Sequence, residues 1–297
     1  MNITDKSPVL VAGATGFLGS EICRKLVAEN FSVKALVRAS SNPLRIEELK
    51  AKGIEIIQAD LKDQSSIEEA LEGVSTVIST VSCTFSRQEG DCIQTVDDEG
   101  QANLVRVAVA CGVRRFVYIS FCKMSIDSPL QIAKRKVEKL LRESTLKYTI
   151  LQPTFYMESW LSPALGFDHR NAKATIYGKG ENKISWIAVK DVAEFAVVSV
   201  QNEATVNKSF ELGGLEALSP LEVVEIFETA HGKKFELEFV PEETLQAQRS
   251  EAQDPLSESF ASLMLSFAHG SEINMEEQKK IFALNLESVR DYAYLGV

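Results

Sequence analysis

The stretch Val9 to Gly19 reads Val-Leu-Val-Ala-Gly-Ala-Thr-Gly-Phe-Leu-Gly and is the strongest indication of the fold class. An apolar run enters a turn with glycine at Gly13, Gly16 and Gly19, and a helical pattern follows at once. Glycine permits a tight turn out of a strand, a close approach of the main chain to an anion, and close packing of the next helix. The N–H groups and positive dipole end of that helix would face the anion. The stretch therefore predicts a β-turn-α phosphate-binding element.

A second strand, Phe31 to Arg38, completes a β-α-β unit within about thirty residues, which supports dinucleotide binding although the glycine spacing differs from G-x-G-x-x-G. An NAD-selective site places Asp or Glu at the end of this strand. This chain has Arg38 there, followed by Ala39-Ser40-Ser41. A cation with hydroxyls suits a 2′-phosphate, so we expect NADP(H) rather than NAD(H). The alternative is that Arg38 is a solvated strand end.

The amino-acid composition excludes several classes of protein. The 297 residues are 45% hydrophobic and 25% charged, enough to bury a large core in one domain or in a domain with a smaller lobe. The net charge of −10 argues against a nucleic-acid partner, which needs concentrated Lys and Arg. No apolar run approaches the length of a membrane span, so we expect no membrane partner.

Cysteine and histidine usage indicates a reduced compartment and no metal. The chain has five cysteines and no Cys-x-x-Cys pair, which favours free thiols in the cytoplasm over a disulfide framework. Met1 to Pro8 lacks the pattern of a signal peptide. The three histidines stand far apart without carboxylates or thiols at ligand spacing, so we expect no metal site.

Strands and helices alternate as far as Phe116 to Ser120, which predicts an α/β fold with a doubly wound parallel sheet. Ligands of such sheets bind beyond the carboxyl ends of the strands. Three polar residues stand at predicted strand ends: Asp60, Thr80 and Ser120. The Asp60 carboxylate could accept a hydrogen bond from the exocyclic amine of adenine. A structural role, as a helix N-cap or within a loop, is the alternative. Thr80 is expected beside the cofactor, and Ser120 where chemistry occurs.

A lysine on the buried side of a helix is the main catalytic candidate. The predicted helix Leu130 to Glu143 carries four cations, for which a solvated basic face is the plain interpretation. At about 100° per residue, Lys134 lies only about 20° from Leu141 and about 60° from Val137, on the apolar stripe. A buried ammonium needs a partner such as a ribose hydroxyl or a substrate oxygen.

The segment Thr154 to Trp160 leaves the sixth predicted strand over the expected nicotinamide position. Its aromatic and methionine side chains suit the wall of an apolar substrate pocket, or equally the core of a second lobe. Beyond it the chain reads as short strands, among them Ile184 to Ile187, and helices. We therefore divide the chain into an NADP-binding domain, 1–153 with 189–214, and a smaller, mostly helical substrate lobe, 154–188 with 215–297.

The whole chain resembles the NmrA-like atypical short-chain dehydrogenase/reductases, in Gly13 to Gly19, Arg38, Asp60-Leu61, Phe116 to Ser120, Lys134, Leu140 to Pro153, Phe155 to Glu158 and Asp191 to Ala193. The resemblance implies a Rossmann-type fold and NADP(H) binding. It implies that the diphosphate and 2′-phosphate are held by Gly13, Thr15, Gly16, Phe17, Leu18 and Arg38. It places Asp60 and Leu61 beside the adenine and Lys134 beside the nicotinamide ribose. Thr80, Pro153 and Phe155 complete the expected cofactor contacts.

One departure from the pattern of the superfamily leaves two functions open. The larger superfamily uses Tyr-x-x-x-Lys, but four residues before Lys134 this chain has Leu130. Relatives without the tyrosine include isoflavone-reductase-like and quinone-reductase-like enzymes and also nonenzymatic NADP sensors. We expect an NADPH-dependent reductase of a small apolar carbonyl, quinone, imine or activated alkene, with Lys134, Ser120 and Tyr156 as catalytic candidates. The alternative is an NADP(H)-sensing regulatory protein, and a monomer or a homodimer fits either.

Overall fold

The structure is a computed structural model that describes residues 7–85 and 87–295, so the expectation about Met1 to Pro8 falls almost entirely outside the described residues. The strands are β1 Val9–Ala12, β2 Val33–Val37, β3 Glu55–Gln58, β4 Thr76–Ser79, β5 Arg115–Ile119, β6 Lys147–Pro153, β7 Phe167–Asp168, β8 Lys173–Tyr177, β9 Lys208–Leu212 and β10 Glu236–Val240. The α-helices are α1 Phe17–Ala28, α2 Pro43–Ala51, α3 Gln64–Ala70, α4 Gln101–Ala110, α5 Pro129–Glu143, α6 Met157–Trp160, α7 Val189–Val198, α8 Pro220–His231, α9 Glu242–Ser250, α10 Pro255–His269, α11 Glu276–Phe282 and α12 Val289–Leu295.

Seven strands form the main sheet in the order β3-β2-β1-β4-β5-β6-β9. The neighbours from β3 through β6 pair in parallel, with Val9 opposite both Val33 and Thr76. Strand order reverses at β1, which has β2 on one side and β4 on the other. This arrangement confirms the predicted Rossmann-type α/β fold.

The central strands are short apolar runs because helices cover both faces of a parallel sheet. All four residues of β1 and all five of β5 are buried. One core cluster joins Leu10, Val77, Phe116 and Ile150 of four neighbouring strands to Leu141 of α5. The sheet is thus a rigid platform for the loops at its carboxyl edge.

A π-helix occupies a segment for which the sequence predicts a loop. Polar composition without a 3.6-residue period suggests a loop from Cys83 to Asp98, with a helix beginning at Glu99. The chain instead forms a π-helix over Ile93–Gly100 that runs directly into α4. Because a π-helix closes its hydrogen bonds over five residues, its buried side chains do not follow the α-helical period.

The chain divides into two compact units. The first comprises 1–120, 133–151 and 193–210, and the second 121–132, 152–192 and 211–297. Residues 121–132 thus group with the second unit, whereas the sequence-based division places them in the first.

The second unit contains a three-stranded sheet, β10-β8-β7, and an aromatic core. Ile184 to Ile187, expected as a strand, makes isolated bridges, in which Ile184 pairs with Leu218 and with Ser271. In the described part of the chain, four helices, α9 to α12, follow β10, where the sequence suggests three. Among the described residues, no helix combines the length and the apolar character needed to cross a membrane.

Candidate functional site

The glycine turn after β1 leaves no room for side chains. Gly13 has a φ of +83°, and a Cβ there would lie 2.5 Å from Thr80 Oγ1. A Cβ at Gly19 would lie 2.1 Å from the carbonyl oxygen of Gly13, a backbone atom that cannot move aside cheaply. Gly13 therefore makes the left-handed turn, and Gly19 lets α1 pack against that turn.

Helix α1 presents its amino terminus at this turn. Gly16 is the extended N-cap, and among the described residues no side chain caps the helix and no acidic residue stands in its first turn. The first N–H groups of a helix lack partners within the helix, so they form an anion site with the positive dipole end. Gly16 and Phe17 are exposed, and Thr15 and Leu18 are partly so. The turn can hold a diphosphate.

Thr80 has a structural role at the same edge of the sheet. It follows β4, and its hydroxyl donates to the carbonyl oxygen of Ala12, 3.1 Å away. This bond ties the end of β4 to the end of β1, beside Gly13. Contact of Thr80 with a bound cofactor stays a prediction.

Arg38 and Lys62 converge on one buried carboxylate. Arg38, just after β2, pairs with Asp91 through Nη1 and Oδ2, and Lys62 Nζ lies 2.6 Å from Asp91 Oδ1. The Asp91 side chain is only 1% exposed. Burial alone would raise the pKa of Asp91. Hydrogen bonds from Lys62 and from the backbone N–H of Gln88, together with the charge of Arg38, hold that pKa below its ordinary value. Two cations that converge on one anion form the type of site that binds phosphate.

Asp60 lies close to this ion cluster. Its Oδ1 accepts the backbone N–H of Lys62 at 3.0 Å, and its Oδ2 accepts from Gln88 Nε2 at 2.7 Å. The N-cap of α3 is Asp63, whose side chain accepts the N–H of Ser65. Of the plain alternatives for Asp60, the structure therefore supports the loop role and not the helix cap. Leu61 beside it is buried.

Lys134 has a partner within the protein. Its side chain, 7% exposed, places Nζ 3.5 Å from Oδ1 of Asp97, which is fully buried in the π-helix. The other oxygen, Oδ2, accepts the backbone N–H of Cys83 at 3.0 Å. Helical periodicity predicts that Lys134 lies on a buried stripe with a ligand as its partner. The structure supplies a carboxylate from a segment expected to be a loop.

Tyr118 of β5 lies beneath the same ammonium group. Lys134 Nζ is 5.5 Å from the centroid of the Tyr118 ring, a cation–π distance. Burial, with the nearby charges of Asp97 and Glu138, raises the pKa of Tyr118 well above its ordinary value. Its hydroxyl is buried without a hydrogen-bond partner among the described residues. Lys134 thus has a carboxylate and the ring of a neutral phenol as neighbours.

Ser120, just after β5, belongs to a second ionic group. Its hydroxyl donates to Glu138 Oε1 at 2.6 Å. Glu138, 1% exposed, also pairs with Arg135 and with Arg142 on the same helix. The network gives Ser120 a structural role, and its part in catalysis stays a prediction.

The three candidates from the end of β6 and the segment after it lie in the second unit. Phe155 is 2% exposed and packs edge-to-face on Trp160 and Phe267, so it contributes to the core of that unit. The carbonyl oxygen of Pro153 accepts the N–H of Cys122 at 3.0 Å. Tyr156 is the N-cap of α6, and burial raises its pKa, which leaves the phenol neutral and weakly acidic. Their contacts with cofactor or substrate stay predictions.

Four residues of the site are not predicted by the sequence: Lys62, Asp91, Asp97 and Tyr118. Lys62 directly follows the Asp60-Leu61 pair beyond the end of β3, and this position alone could have indicated that it lies near the cofactor. Asp91 and Asp97 lie in a stretch without periodicity, and the two cations that pair with Asp91 are 53 and 29 residues away along the chain. No local pattern reveals such contacts.

A parallel sheet that reverses its strand order at β1, with a glycine turn after that strand, defines a Rossmann-type dinucleotide-binding fold. Within that class, the chain belongs to the NmrA-like family, which matches residues 5–293. This result confirms the resemblance found in the sequence.

The chain is similar to proteins that have different names and roles. The chain is 29% identical to the photosystem II assembly factor Ycf39 of Synechocystis sp. over 82% of this chain and 73% of that protein. It is 31% identical to the NAD(P)H azoreductase of Xenophilus azovorans over 76% of this chain and 74% of the enzyme. A solved structure of the NADPH-dependent quinone oxidoreductase QOR2 of Escherichia coli, complexed with NADPH, superposes with a TM-score of 0.77. The two chains are 23% identical, and the match covers 96% of this chain and 98% of QOR2.

Proposed function

We propose that this protein is an NADPH-dependent reductase of a small apolar carbonyl, quinone, imine or activated alkene. The observation that carries the proposal is the buried ammonium of Lys134, which forms an ion pair with Asp97 at 3.5 Å in the unit that also contains the glycine turn. A desolvated, oriented positive charge stabilises an oxyanion far better than a solvated one. The similarity to an NAD(P)H azoreductase supports the same class of reaction.

The residues present fit NADP(H). The uncapped amino terminus of α1 and the glycine turn, which a Cβ would fill, suit the diphosphate. Arg38 and Lys62 already hold one anion, the Asp91 carboxylate, and suit a 2′-phosphate. The bound cofactor would supply hydride chemistry, and the protein would supply orientation and electrostatics.

Lys134 would act on the acceptor. Its ammonium can donate a hydrogen bond to a developing oxyanion or give that atom a proton. Asp97 would compensate the charge of the ammonium and orient it, since an unpaired buried cation is costly. Tyr118 and Tyr156 are poorer proton donors, because burial raises the pKa of both.

The direct test is a screen for NADPH oxidation across quinones, enones, imines and azo dyes, beside a calorimetric titration of the cofactor. Turnover with at least one acceptor class supports the reductase. Tight NADPH binding without turnover on any of them would contradict it.

A second candidate is a regulatory protein that binds NADP(H) without turnover. The similarity to the Ycf39 assembly factor is the observation that favours it. Under this proposal NADPH binding would change the affinity for a protein partner. The screen above separates the two candidates.

Cofactor selectivity should depend on Arg38. We expect NADPH to bind at least about tenfold more tightly than NADH, because an ion pair to a phosphate contributes about 1.5 to 3 kcal/mol and tenfold needs about 1.4. Arg38→Ala should remove most of that preference, and Lys62→Ala part of it. Calorimetry with both cofactors measures the effect. Lys139→Ala is the control, since that side chain is 74% exposed on α5. Equal Kd values for the two cofactors in the wild type would contradict the assignment.

A further inference from the structure

The anion site of Arg38 and Lys62 is filled by the protein itself. Asp91 Oδ2 accepts a hydrogen bond from Arg38 and one from the backbone N–H of Gln88, the latter at 3.0 Å. Asp91 Oδ1 accepts from Lys62 Nζ at 2.6 Å. Both oxygens of a nearly inaccessible carboxylate are thus satisfied by cations and an amide. Any other anion that binds these two cations must compete with Asp91.

We propose that Asp91 is an internal competitor of the 2′-phosphate and sets how strongly the protein prefers NADPH. This inference deepens the proposed function and rests on its cofactor assignment. A cofactor without the 2′-phosphate has no anion to place between Arg38 and Lys62, so it leaves the Asp91 ion pairs intact. A cofactor with the phosphate must take the two cations from Asp91.

The exchange favours the phosphate, but at a cost. A phosphate monoester carries about −1.5 to −2 charges and three acceptor oxygens, against one charge and two oxygens for Asp91. The two cationic side chains are 25% and 29% exposed, so both are reachable from solvent. Until Asp91 withdraws, its carboxylate also repels the arriving phosphate. Removing the charge of Asp91 should therefore tighten binding of ligands that carry the 2′-phosphate.

The test uses adenosine 2′,5′-bisphosphate and adenosine 5′-monophosphate as probes, with Kd values from calorimetry on the full chain. Asp91→Asn keeps the size of the side chain and removes its charge. We expect the Kd of the bisphosphate to fall at least about fivefold and that of the monophosphate to change by less than about twofold. Glu89→Gln is the matched control, because it makes the same change in net charge at an exposed position of the same loop. It should leave both Kd values within about twofold of the wild type.

Each outcome decides the proposal. A folded Asp91→Asn protein, checked by circular dichroism, that binds the bisphosphate no better than the wild type would show that Asp91 only orders the two cations. If Asp91→Asn does not fold, Asp91→Ser serves in its place with the same expectation. No binding of the bisphosphate to any variant overturns both this proposal and the cofactor assignment. Lack of NADPH oxidation overturns the reductase alone and leaves the binding result standing.

Discussion

Lys134→Met is expected to lower turnover with NADPH by at least about 10²-fold, the lower bound for loss of a general acid–base group. The substitution keeps the length and apolar packing of the side chain but removes its charge. Affinity for NADPH should weaken modestly, since one lost hydrogen bond to a ribose is worth about 1 to 3 kcal/mol. Steady-state rates at saturating NADPH, with calorimetric Kd values, separate the two effects.

Lys139→Met is the matched control for this experiment. It makes the same change on the same helix, where the side chain is 74% exposed, and it should leave turnover near the wild-type rate. A Lys134→Met protein that reduces its acceptor as fast as the wild type would show that hydride delivery and protonation by solvent suffice. The catalytic assignment of Lys134 would then be wrong.

The second large effect is on stability. From the sequence alone, Lys134→Met should change stability little. The contact with Asp97 reverses that expectation, because the substitution leaves a fully buried carboxylate without its cation. Loss of one partner of a buried ion pair costs about 3 to 5 kcal/mol. Asp97→Asn should lower the free energy of unfolding by a similar amount, since it leaves the ammonium unpaired.

A double-mutant cycle measures the pair. The combination Asp97→Asn/Lys134→Met removes both charges and keeps an acceptor for the Cys83 amide, so it should recover at least half of either loss. Urea unfolding at neutral pH provides the four free energies. Strictly additive losses would show that the two groups do not interact. The double variant also provides a stable background in which the loss of turnover cannot be ascribed to unfolding.

Local patterns in the sequence were enough to predict the sheet and its central turn. Gly13 and Gly19 stand where a positive φ and a close backbone contact forbid a side chain, so the glycine spacing encodes geometry directly. Lys134 was located by helical periodicity, because α5 is a regular α-helix. These predictions needed only residues within one or two turns of one another.

The charged partners of the site could not be predicted in this way. Asp97 lies in a π-helix, whose side chains do not follow the α-helical period. Asp91 meets Arg38 from 53 residues away, through a loop whose path depends on the packed fold. Aromatic residues after β6 suited a pocket wall or a core equally, and only packing showed that Phe155 lies among Trp160 and Phe267.

The position of β9 at the edge of the main sheet, beside β6, has a consequence during synthesis. Strand β6 ends at Pro153, and the chain must extend to Leu212 before β9 is complete. At 5 to 20 residues per second, roughly 60 residues take about 3 to 12 s on the ribosome. During that interval β6 offers an open edge to other nascent chains. We therefore expect the interval between the synthesis of β6 and that of β9 to leave this edge open to aggregation until β9 covers it.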